Sequence, residues 1–126
     1  MEQKFLYCKH CGKVLIPGVD RDTPTICCGE EMVILKANST DAAQEKHVPV
    51  VKFTDNKIEV AVGSVLHPMT PEHFIQFIYL QTEKGGQLKK LNPGDEPKAV
   101  FLIGEDKPLV VYEFCNLHGL WKADVK

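Results

Sequence analysis

The chain has 126 residues, enough for one ordinary domain or for one domain with a small appendage. It carries 15 lysine and arginine residues against 17 aspartate and glutamate residues, a formal net charge of −2 at pH 7. This balance, with scattered lysines, excludes the basic stripe of a nucleic-acid-binding protein. No apolar run approaches the ~20 residues that cross a bilayer, and the first residues do not resemble a signal peptide. We therefore expect a cytoplasmic protein without a membrane partner, in which thiols stay reduced.

Four of the five cysteines lie near the start of the chain. Cys8 and Cys11 form a C-x-x-C motif, and Cys27 and Cys28 follow as an adjacent pair. An odd number of cysteines in a reducing compartment indicates metal ligands rather than disulfides. The two pairs predict a tetrahedral four-sulfur site for zinc or iron, and spacing alone does not decide between these metals. Because the usual second pair is another C-x-x-C, the adjacent pair is expected to distort the tetrahedron.

The cysteine-rich segment is too short to fold on hydrophobic burial alone, so we expect a metal to hold residues 1–37 together as a small domain. Within it, Lys4–Tyr7 and Met32–Leu35 alternate in polarity, which predicts strands beside the site. Residues 38–46 are polar and contain alanine, which predicts a linker with one helical turn. The candidate N-caps of that turn are Ser39, Thr40 and Asp41.

Residues 47–126 show the pattern of an antiparallel β-domain. Two β-rich runs, VPVVKFT and KIEVAVG, are joined by Asp55-Asn56, which is a hairpin signal. Later runs are separated by turn residues at Gly85-Gly86, at NPGDEP and at GEDKP. Short strands at this spacing predict an all-β protein whose larger domain is an immunoglobulin-like sandwich of seven antiparallel strands.

The larger domain contains one cysteine and four histidines that could meet at one point. Each histidine lies next to a proline or where a strand gives way to a loop, and the cysteine ends the last long β-rich run. A single histidine is more often a surface or core residue than a ligand, but the loops at one end of a sandwich can gather several. The candidate ligands are His47, His67, His73, Cys115 and His118.

Five such ligands favour iron. They are one too many for tetrahedral zinc and one too few for an octahedron, whereas iron accepts a square pyramid with one position open to a small molecule. Iron(II) with four imidazoles and one thiolate is positive, whereas iron(II) with four thiolates is negative. A small anion is attracted to the first site and repelled by the second. We therefore expect the chemistry in the larger domain.

A blue-copper protein is the rival interpretation with a similar fold. Such proteins are also β-sandwiches with a cysteine and a histidine close together near the C-terminus and a weak axial methionine. No methionine follows His118, and Met69 lies between His67 and His73, which is the wrong place for that motif. Four histidines also exceed the copper set, so we disfavour this alternative.

Taken in chain order, the motifs resemble those of desulfoferrodoxin, the two-iron form of superoxide reductase. The resemblance covers the whole length: C-x-x-C and C-C, then E-K-H-V-P, H-P-M with a later E-H, and C-N-x-H-G-x-W. It implies a desulforedoxin-like first domain and two iron ions per chain. The implied FeCys4 ligands are Cys8, Cys11, Cys27 and Cys28. The implied FeHis4Cys ligands are His47, His67, His73 and His118 in the plane and Cys115 on the axis.

The resemblance also implies the reaction and the partners. Members of the family reduce superoxide by one electron to hydrogen peroxide without making dioxygen, with electrons from rubredoxin or a similar donor, and a homodimer is implied. The lysine that matches Lys46 attracts superoxide, and the glutamate that matches Glu45 can occupy the open position of the oxidised iron. The backbone amide of Asn116 or Leu117 is expected to donate to the Cys115 sulfur.

Two other functions stay open on the sequence alone. One is a two-iron electron-transfer protein without a dedicated substrate, which would have no position accessible to an anion. The other is a zinc-held interaction module fused to a binding sandwich, which would be colourless.

Overall fold

The computed structural model describes residues 2–126, which form two compact units. The first unit ends at Lys36 and the second spans Ala37–Lys126. Both are built from β-strands, as the sequence predicts. Among residues 2–126 there is no helix long and apolar enough to cross a membrane.

Five strands of two residues each form the first unit. They are Leu6–Tyr7 (β1), Val14–Leu15 (β2), Ile26–Cys27 (β3), Glu30–Glu31 (β4) and Val33–Ile34 (β5). Strand β1 pairs with β2 and β5, and β3 pairs with β4, all antiparallel. The two predicted strands of this segment are therefore present but shorter, although the Leu35 N–H still donates to the Phe5 carbonyl at 2.9 Å. Strands this short need an additional constraint to stay folded.

One helical turn, α1 (Gln44–His47), precedes the strands of the second unit. The predicted N-caps are wrong, because Ala43 occupies the N-cap position and no side chain caps the helix. Upstream of these residues, Asn38 contacts the C-terminal part of the chain. The Asn38 N–H donates to the Leu120 carbonyl at 2.9 Å, and its side-chain oxygen accepts from the Lys122 N–H at 2.8 Å.

Seven antiparallel strands build the second unit, which confirms the predicted sandwich. They are Pro49–Thr54 (β6), Lys57–Val62 (β7), Ile75–Thr82 (β8), Gly85–Lys90 (β9), Lys98–Leu102 (β10), Pro108–Cys115 (β11) and Gly119–Asp124 (β12). One sheet has the order β10-β7-β6 and the other the order β12-β11-β8-β9. Three strands facing four is the division expected for an immunoglobulin-like fold.

The turns show where the sequence pattern was sufficient and where it was not. Asp55 and Asn56 connect β6 to β7 as predicted, with Asp55 at a φ of 55°. Gly85 and Gly86, expected in a turn, begin β9 instead. The ring of Tyr79 explains the second glycine, because a Cβ on Gly86 would lie 2.1 Å from the Tyr79 hydroxyl oxygen. Gly86 therefore leaves room for an aromatic ring above the strand.

The core lies between the two sheets and comes from alternate positions of their strands. In β7, for example, Ile58, Val60 and Val62 are buried and the residues between them are half-buried. The other sheet contributes residues of β8 and β11 to the same cluster. Full burial of each such side chain contributes about 1.5–3 kcal/mol. This packing makes the strands rigid supports for the loops at their ends.

Glu113 is an acidic residue in this apolar interior. It is fully buried in β11, paired with Ile78 on one side and Trp121 on the other. Neither of its carboxyl oxygens has a hydrogen-bond partner among the described residues. Burial raises the pKa of the Glu113 carboxyl well above its ordinary value. An unpaired polar group of this kind weakens the sandwich.

We expect the Glu113→Leu variant to be more stable than the parent by about 1–3 kcal/mol, because it removes a buried polar group that has no partner. Chemical denaturation at equal iron content measures the difference. Glu113→Gln keeps the shape and a polar group, so it should gain less than the leucine variant. A leucine variant less stable than the parent would show that the Glu113 carboxyl makes interactions that stabilise the folded protein.

Candidate metal centres

The nine residues predicted to bind metal lie in two groups. Within each group, one potential ligand atom per residue lies within 4.8 Å of every other. The first group belongs to the first unit and consists of Cys8, Cys11, Cys27 and Cys28. The second group belongs to the second unit and consists of His47, His67, His73, Cys115 and His118.

The four-cysteine group has the dimensions of a tetrahedral metal–thiolate site. The Cys11 and Cys27 sulfurs are 3.7 Å apart, and the Cys27 and Cys28 sulfurs are 4.0 Å apart. A tetrahedron with metal–sulfur bonds of about 2.3 Å has edges of about 3.8 Å. These two sulfur–sulfur distances therefore match the edges of a regular tetrahedron.

Backbone conformation explains how adjacent cysteines reach one point. Cys28 adopts a φ of 54° and Gly29 a φ of 78°, so the chain reverses immediately after Cys27. A non-glycine residue at positive φ is uncommon and costs conformational energy. The strain of the adjacent pair therefore lies in the backbone, at Cys28. The C-x-x-C loop is closed by the Gly12 N–H, which donates to the Cys8 carbonyl at 2.9 Å.

The thiols of this group affect one another's ionisation. Backbone N–H groups, first that of Cys11, lower the pKa of the Cys8 thiol to about 6. Hydrogen bonds from the neighbouring thiols, first that of Cys8, raise the pKa of Cys27 to about 12. The pKa of Cys28 is raised too, first by its hydrogen bond with Cys11. Four thiolates this close repel one another, so full ionisation requires a cation at their centre.

His10, inside the C-x-x-C loop, does not join the sulfur group. Its Nε2 atom lies 2.9 Å from a carboxylate oxygen of Glu30, and both side chains are exposed. This pair connects the loop that carries Cys8 and Cys11 to the hairpin that carries the other two cysteines.

The four histidines of the second group form a closed ring of neighbours. Ring centroids of successive members are 4.6–5.1 Å apart, and each ring is nearly perpendicular to the next, at 77–86°. The order around the ring is His47, His67, His73 and His118. Four imidazoles arranged in this way can each present one nitrogen to a common point.

Hydrogen bonds fix which nitrogen of each imidazole points inward. His47 Nδ1 lies 2.8 Å from the Ala43 carbonyl, and His67 Nδ1 lies 2.7 Å from the Pro68 carbonyl. Each Nδ1 therefore carries the proton, and the Nε2 lone pairs of His47 and His67 face each other at 3.2 Å. Two facing lone pairs are unfavourable unless a cation lies between them.

The remaining two imidazoles complete the donor set. His73 Nε2 is buried and has no hydrogen-bond partner among residues 2–126. His118 presents Nδ1, which lies 3.1 Å from His47 Nε2 and 3.9 Å from the Cys115 sulfur. Since His118 is three residues from Cys115, its nearer ring nitrogen is the one that reaches the shared point. The inward nitrogens are thus three Nε2 atoms and one Nδ1 atom.

Burial favours the neutral form of three of these imidazoles, those of His47, His67 and His73. It lowers the pKa of His67 to about 4, and it also lowers the pKa values of His47 and His73. The positive charge of Lys46 lowers the pKa of His73 further. Only a neutral imidazole has a lone pair to offer a metal, so the unprotonated form that burial favours is the ligating form.

Cys115 lies at the end of β11 and is fully buried, with its sulfur within 4.8 Å of a ring nitrogen of each of the four histidines. The pairing of β11 with β8 has a register shift between Phe114 and Cys115, and this irregularity changes the direction of the strand at Cys115. Burial raises the pKa of the Cys115 thiol, whereas the backbone N–H groups of Leu117 and His118 lower it. The expected amide of Leu117 is therefore in place. The Asn116 N–H donates instead to the Phe74 carbonyl at 3.2 Å.

Asn116 connects the loop of His73 to the strand of Cys115. Its side-chain oxygen accepts from the Phe74 N–H at 2.9 Å, and its side-chain nitrogen donates to the Glu72 carbonyl at 3.0 Å. These bonds hold the backbone on both sides of His73. The sequence motif placed Asn116 in the tight loop but did not reveal these partners.

Trp121 supports the ring from the interior of the fold. It is buried and stacks on His47, with ring centroids 4.9 Å apart and an interplanar angle of 27°. Its Nε1–H donates to the His118 carbonyl at 3.1 Å. Trp121 is therefore a core residue that also contacts two of the candidate ligands, His47 and His118.

Met69 takes no part in the donor set. Its sulfur accepts a hydrogen bond from the Ile75 N–H at 3.4 Å, and the side chain packs against the core. The axial methionine of a blue-copper site is therefore not supplied by this residue, which supports the rejection of copper. Glu45 and Lys46 immediately precede His47, and both side chains are exposed.

Comparisons with known proteins agree with these two groups. The desulfoferrodoxin family model matches residues 39–124. Desulfoferrodoxin of Nitratidesulfovibrio vulgaris is 45% identical over 117 residues, covering 93% of this chain and 92% of that protein. Superoxide reductase of Pyrococcus horikoshii is 39% identical over 106 residues and covers 70% of this chain and 92% of its own. The crystal structure of the superoxide reductase from Treponema pallidum superposes with a TM-score of 0.81 at 38% identity, covering 98% and 99% of the two chains.

The Asn116→Ala variant should lose iron from the histidine group faster than the parent, by about 10–100-fold. It removes two hydrogen bonds that orient the backbone around His73, and lost outer contacts of metal ligands cost affinity on this scale. Transfer of iron to a chelator, followed by visible absorption, measures the rate. The four-cysteine iron of the same chain is the internal control and should be unaffected. Equal loss from both groups would mean that the variant destabilises the chain generally.

Proposed function

The chain belongs to the desulfoferrodoxin family, and on this premise we propose that it is a superoxide reductase, which reduces superoxide by one electron to hydrogen peroxide. One observation carries the proposal. Four imidazoles form a ring, and one nitrogen of each lies within 4.8 Å of the other three and of the Cys115 sulfur. Iron bound by this donor set is positively charged and attracts a small anion. The product is hydrogen peroxide, and no dioxygen is formed.

We assign the ligands of the two iron ions from the same geometry. The first iron is held by Cys8, Cys11, Cys27 and Cys28. The second is held by His47, His67, His73, Cys115 and His118. Iron held by the second group would supply the single electron that superoxide takes up. The side chains described below bind the anion, orient it and give access to protons.

Exposure around the ring determines the side from which superoxide and protons arrive. His47 and His67 are buried, whereas His73 and His118 are only half-buried. Water therefore reaches the group from the side of His73 and His118. The reaction needs two protons for each superoxide reduced, and this side supplies them from solvent.

Lys46 attracts the substrate in this proposal. The residue is exposed beside His47. Its positive charge helps to lower the pKa of His73, which lies on the more solvent-exposed side of the ring. A cation at the mouth of a positive site raises the local concentration of an anion and its rate of association. Glu45 is exposed next to it, and we propose that its carboxylate would bind iron held by the second group once that iron is oxidised, as the family resemblance implies.

Cys115 would be the buried sulfur donor to iron held by the second group. Thiolate ligands push electron density toward the metal, and hydrogen bonds to the sulfur moderate this effect. The backbone N–H groups of Leu117 and His118 act on this sulfur. They belong to the tight loop between the two ligands, so the loop that brings His118 to the centre also regulates the thiolate.

We further propose the partners and compartment that this reaction requires. Rubredoxin or a similar small iron protein supplies the electrons, and exposed Cys11 and Cys28 leave the four-cysteine group accessible to such a donor. A homodimer is proposed, supported by exposed apolar side chains on the small first unit, Val19, Ile26 and Ile34. Five free thiols in two iron sites suit the reducing cytoplasm.

The first test is metal content combined with product analysis. Two irons per chain are expected, with a four-thiolate spectrum and a second thiolate-to-iron band after mild oxidation. Each superoxide consumed should yield one hydrogen peroxide and no dioxygen. Zinc in the first group would favour the interaction module. Two irons without a reaction with superoxide or binding of azide would favour the electron-transfer protein.

Cys115→Ser is the matched variant for this test. It should lose the second thiolate band and slow superoxide consumption on the order of a hundredfold or more, because it removes a direct ligand. The four-cysteine spectrum should remain. Unchanged consumption would exclude Cys115 as a ligand.

Lys46→Ala should lower the second-order rate constant for superoxide by about tenfold at low ionic strength and weaken its salt dependence. Stopped-flow mixing at several salt concentrations measures both. Lys107→Ala is the control. Lys107 lies just before β11 begins, whereas Cys115 is the last residue of β11, so the same charge is removed roughly 25 Å from Cys115. If the two variants behave alike, Lys46 contributes only to the overall charge.

A further inference from the structure

The backbone of Glu45 is held by the turn that follows β7. Its carbonyl accepts a hydrogen bond from the Val65 N–H at 2.9 Å and a second from the Ser64 hydroxyl at 3.2 Å. One carbonyl therefore anchors the segment before His47 to a turn 19 residues later in the chain. The side chains of Ser64 and Val65 are exposed, so hydrophobic packing does not account for this contact.

Gly63 brings the two backbones into direct contact. It is buried and has a φ of +77°. A Cβ built at this position would lie 2.3 Å from the Glu45 carbonyl oxygen, 2.6 Å from the Lys46 carbonyl carbon and 2.8 Å from the Lys46 Cα. All three are backbone atoms, so they cannot rotate away as the end of a side chain can. Only glycine permits both the positive φ and this approach.

The same turn is anchored to the core and to the histidine ring. The Val62 carbonyl accepts a hydrogen bond from the His67 N–H at 2.9 Å, and the Val62 N–H donates to the Pro97 carbonyl at 2.8 Å. Val62 is fully buried between the sheets. The turn therefore has a fixed base, and it connects the strand that ends at Val62 to a candidate ligand.

Local structure alone does not fix Lys46. Helix α1 has four residues and no side-chain cap, and a helix of this length is unstable without outside contacts. The Lys46 N–H donates to the Ala43 carbonyl at 3.2 Å, which is within the same short turn. Two contacts therefore tie the Lys46 backbone to the core: on its C-terminal side the buried His47 stacks on Trp121, and on its N-terminal side the Glu45 carbonyl bonds to residues 63–65.

We propose that the Gly63 backbone, the Ser64 hydroxyl and the Val65 N–H form a backbone latch that holds Lys46 at the mouth of the histidine ring. Gly63 and Ser64 are positioning residues for capture of the superoxide anion, acting through Lys46 without touching the anion. This inference rests on the proposed function. A lysine side chain is long and flexible, so its charge stays near the mouth only if its backbone is fixed.

The latch predicts a graded effect on anion capture. Gly63→Ala should lower the second-order rate constant for superoxide by about three- to tenfold at low salt and weaken its salt dependence, since it displaces Lys46. Ser64→Ala removes one of two hydrogen bonds and should have a smaller effect in the same direction. Azide binding to the oxidised protein should weaken in the same order.

The deciding experiment places each change in the parent and in Lys46→Ala. If Gly63 and Ser64 act through Lys46, their effects on the rate and on azide binding should vanish in the Lys46→Ala background. Equal losses in both backgrounds would overturn the proposal, because they would show an effect on the iron site itself. No loss in either background would overturn it as well.

Gly104→Ala is the matched control. Gly104 has a φ of +55° and lies in the turn between β10 and β11, and an added Cβ meets nothing within 4 Å. It reproduces the cost of alanine at positive φ without the steric contact, so superoxide and azide reactions should match the parent. A change in Gly104→Ala equal to that in Gly63→Ala would overturn the proposal.

Amide hydrogen exchange gives a readout that does not depend on turnover. The Val65 amide should be protected in the parent and exchange faster in Ser64→Ala and Gly63→Ala, with the core amide of Val62 as the reference. If Gly63→Ala does not bind iron, Ser64→Ala alone decides the outcome. An unprotected Val65 amide in the parent would overturn the latch. A parent that binds azide but does not react with superoxide would refute the proposed function while the azide data still test the latch.

Discussion

Two hydrogen bonds from imidazole to backbone carbonyl determine what the larger unit can do. They run from Nδ1 of His47 to Ala43 and from Nδ1 of His67 to Pro68, and they point the opposite ring nitrogens at each other. Without a cation, the lone pairs of these two buried nitrogens face each other and repel. Packing of the core offsets the unfavourable free energy of this arrangement in the folded chain, and binding of a metal ion removes the unfavourable interaction. Metal affinity and folding are therefore coupled in this unit.

The two metal groups are built by different means. The four-cysteine group is formed within one short segment whose strands have two residues each, so its geometry depends on local turns and on a strained φ at Cys28. The histidine group draws on segments far apart in the chain, which the sandwich brings to one end. Asn116 and Trp121 then fix the ligands from outside the donor set. The larger group is consequently more sensitive to tertiary packing.

The parts of the structure that the sequence predicts are those governed by local pattern. Alternating polarity and turn residues predicted the β6–β7 hairpin and the seven strands, and cysteine spacing predicted the sulfur group. The histidine group followed from the order of several motifs, because no local rule states which distant histidines converge. The N-cap of α1 was mispredicted because the helical turn begins after Ala43, beyond the polar residues Ser39, Thr40 and Asp41, while the segment before it is held by tertiary hydrogen bonds of Asn38 to Leu120 and Lys122. Glu113 and Gly63 were missed for the same reason, since an unpaired carboxyl or a close backbone approach has no signature in one sequence.

The stacking of Trp121 on His47 gives the protein an internal optical reporter. The chain contains one tryptophan, and its ring centroid lies 4.9 Å from that of a candidate ligand. A transition-metal ion at the centre of the ring would quench the indole fluorescence by energy or electron transfer over this short distance. Emission from the unlabelled protein then follows occupancy of the histidine group, whereas absorption at visible wavelengths includes the sulfur group as well. The two centres can thus be followed separately in one sample.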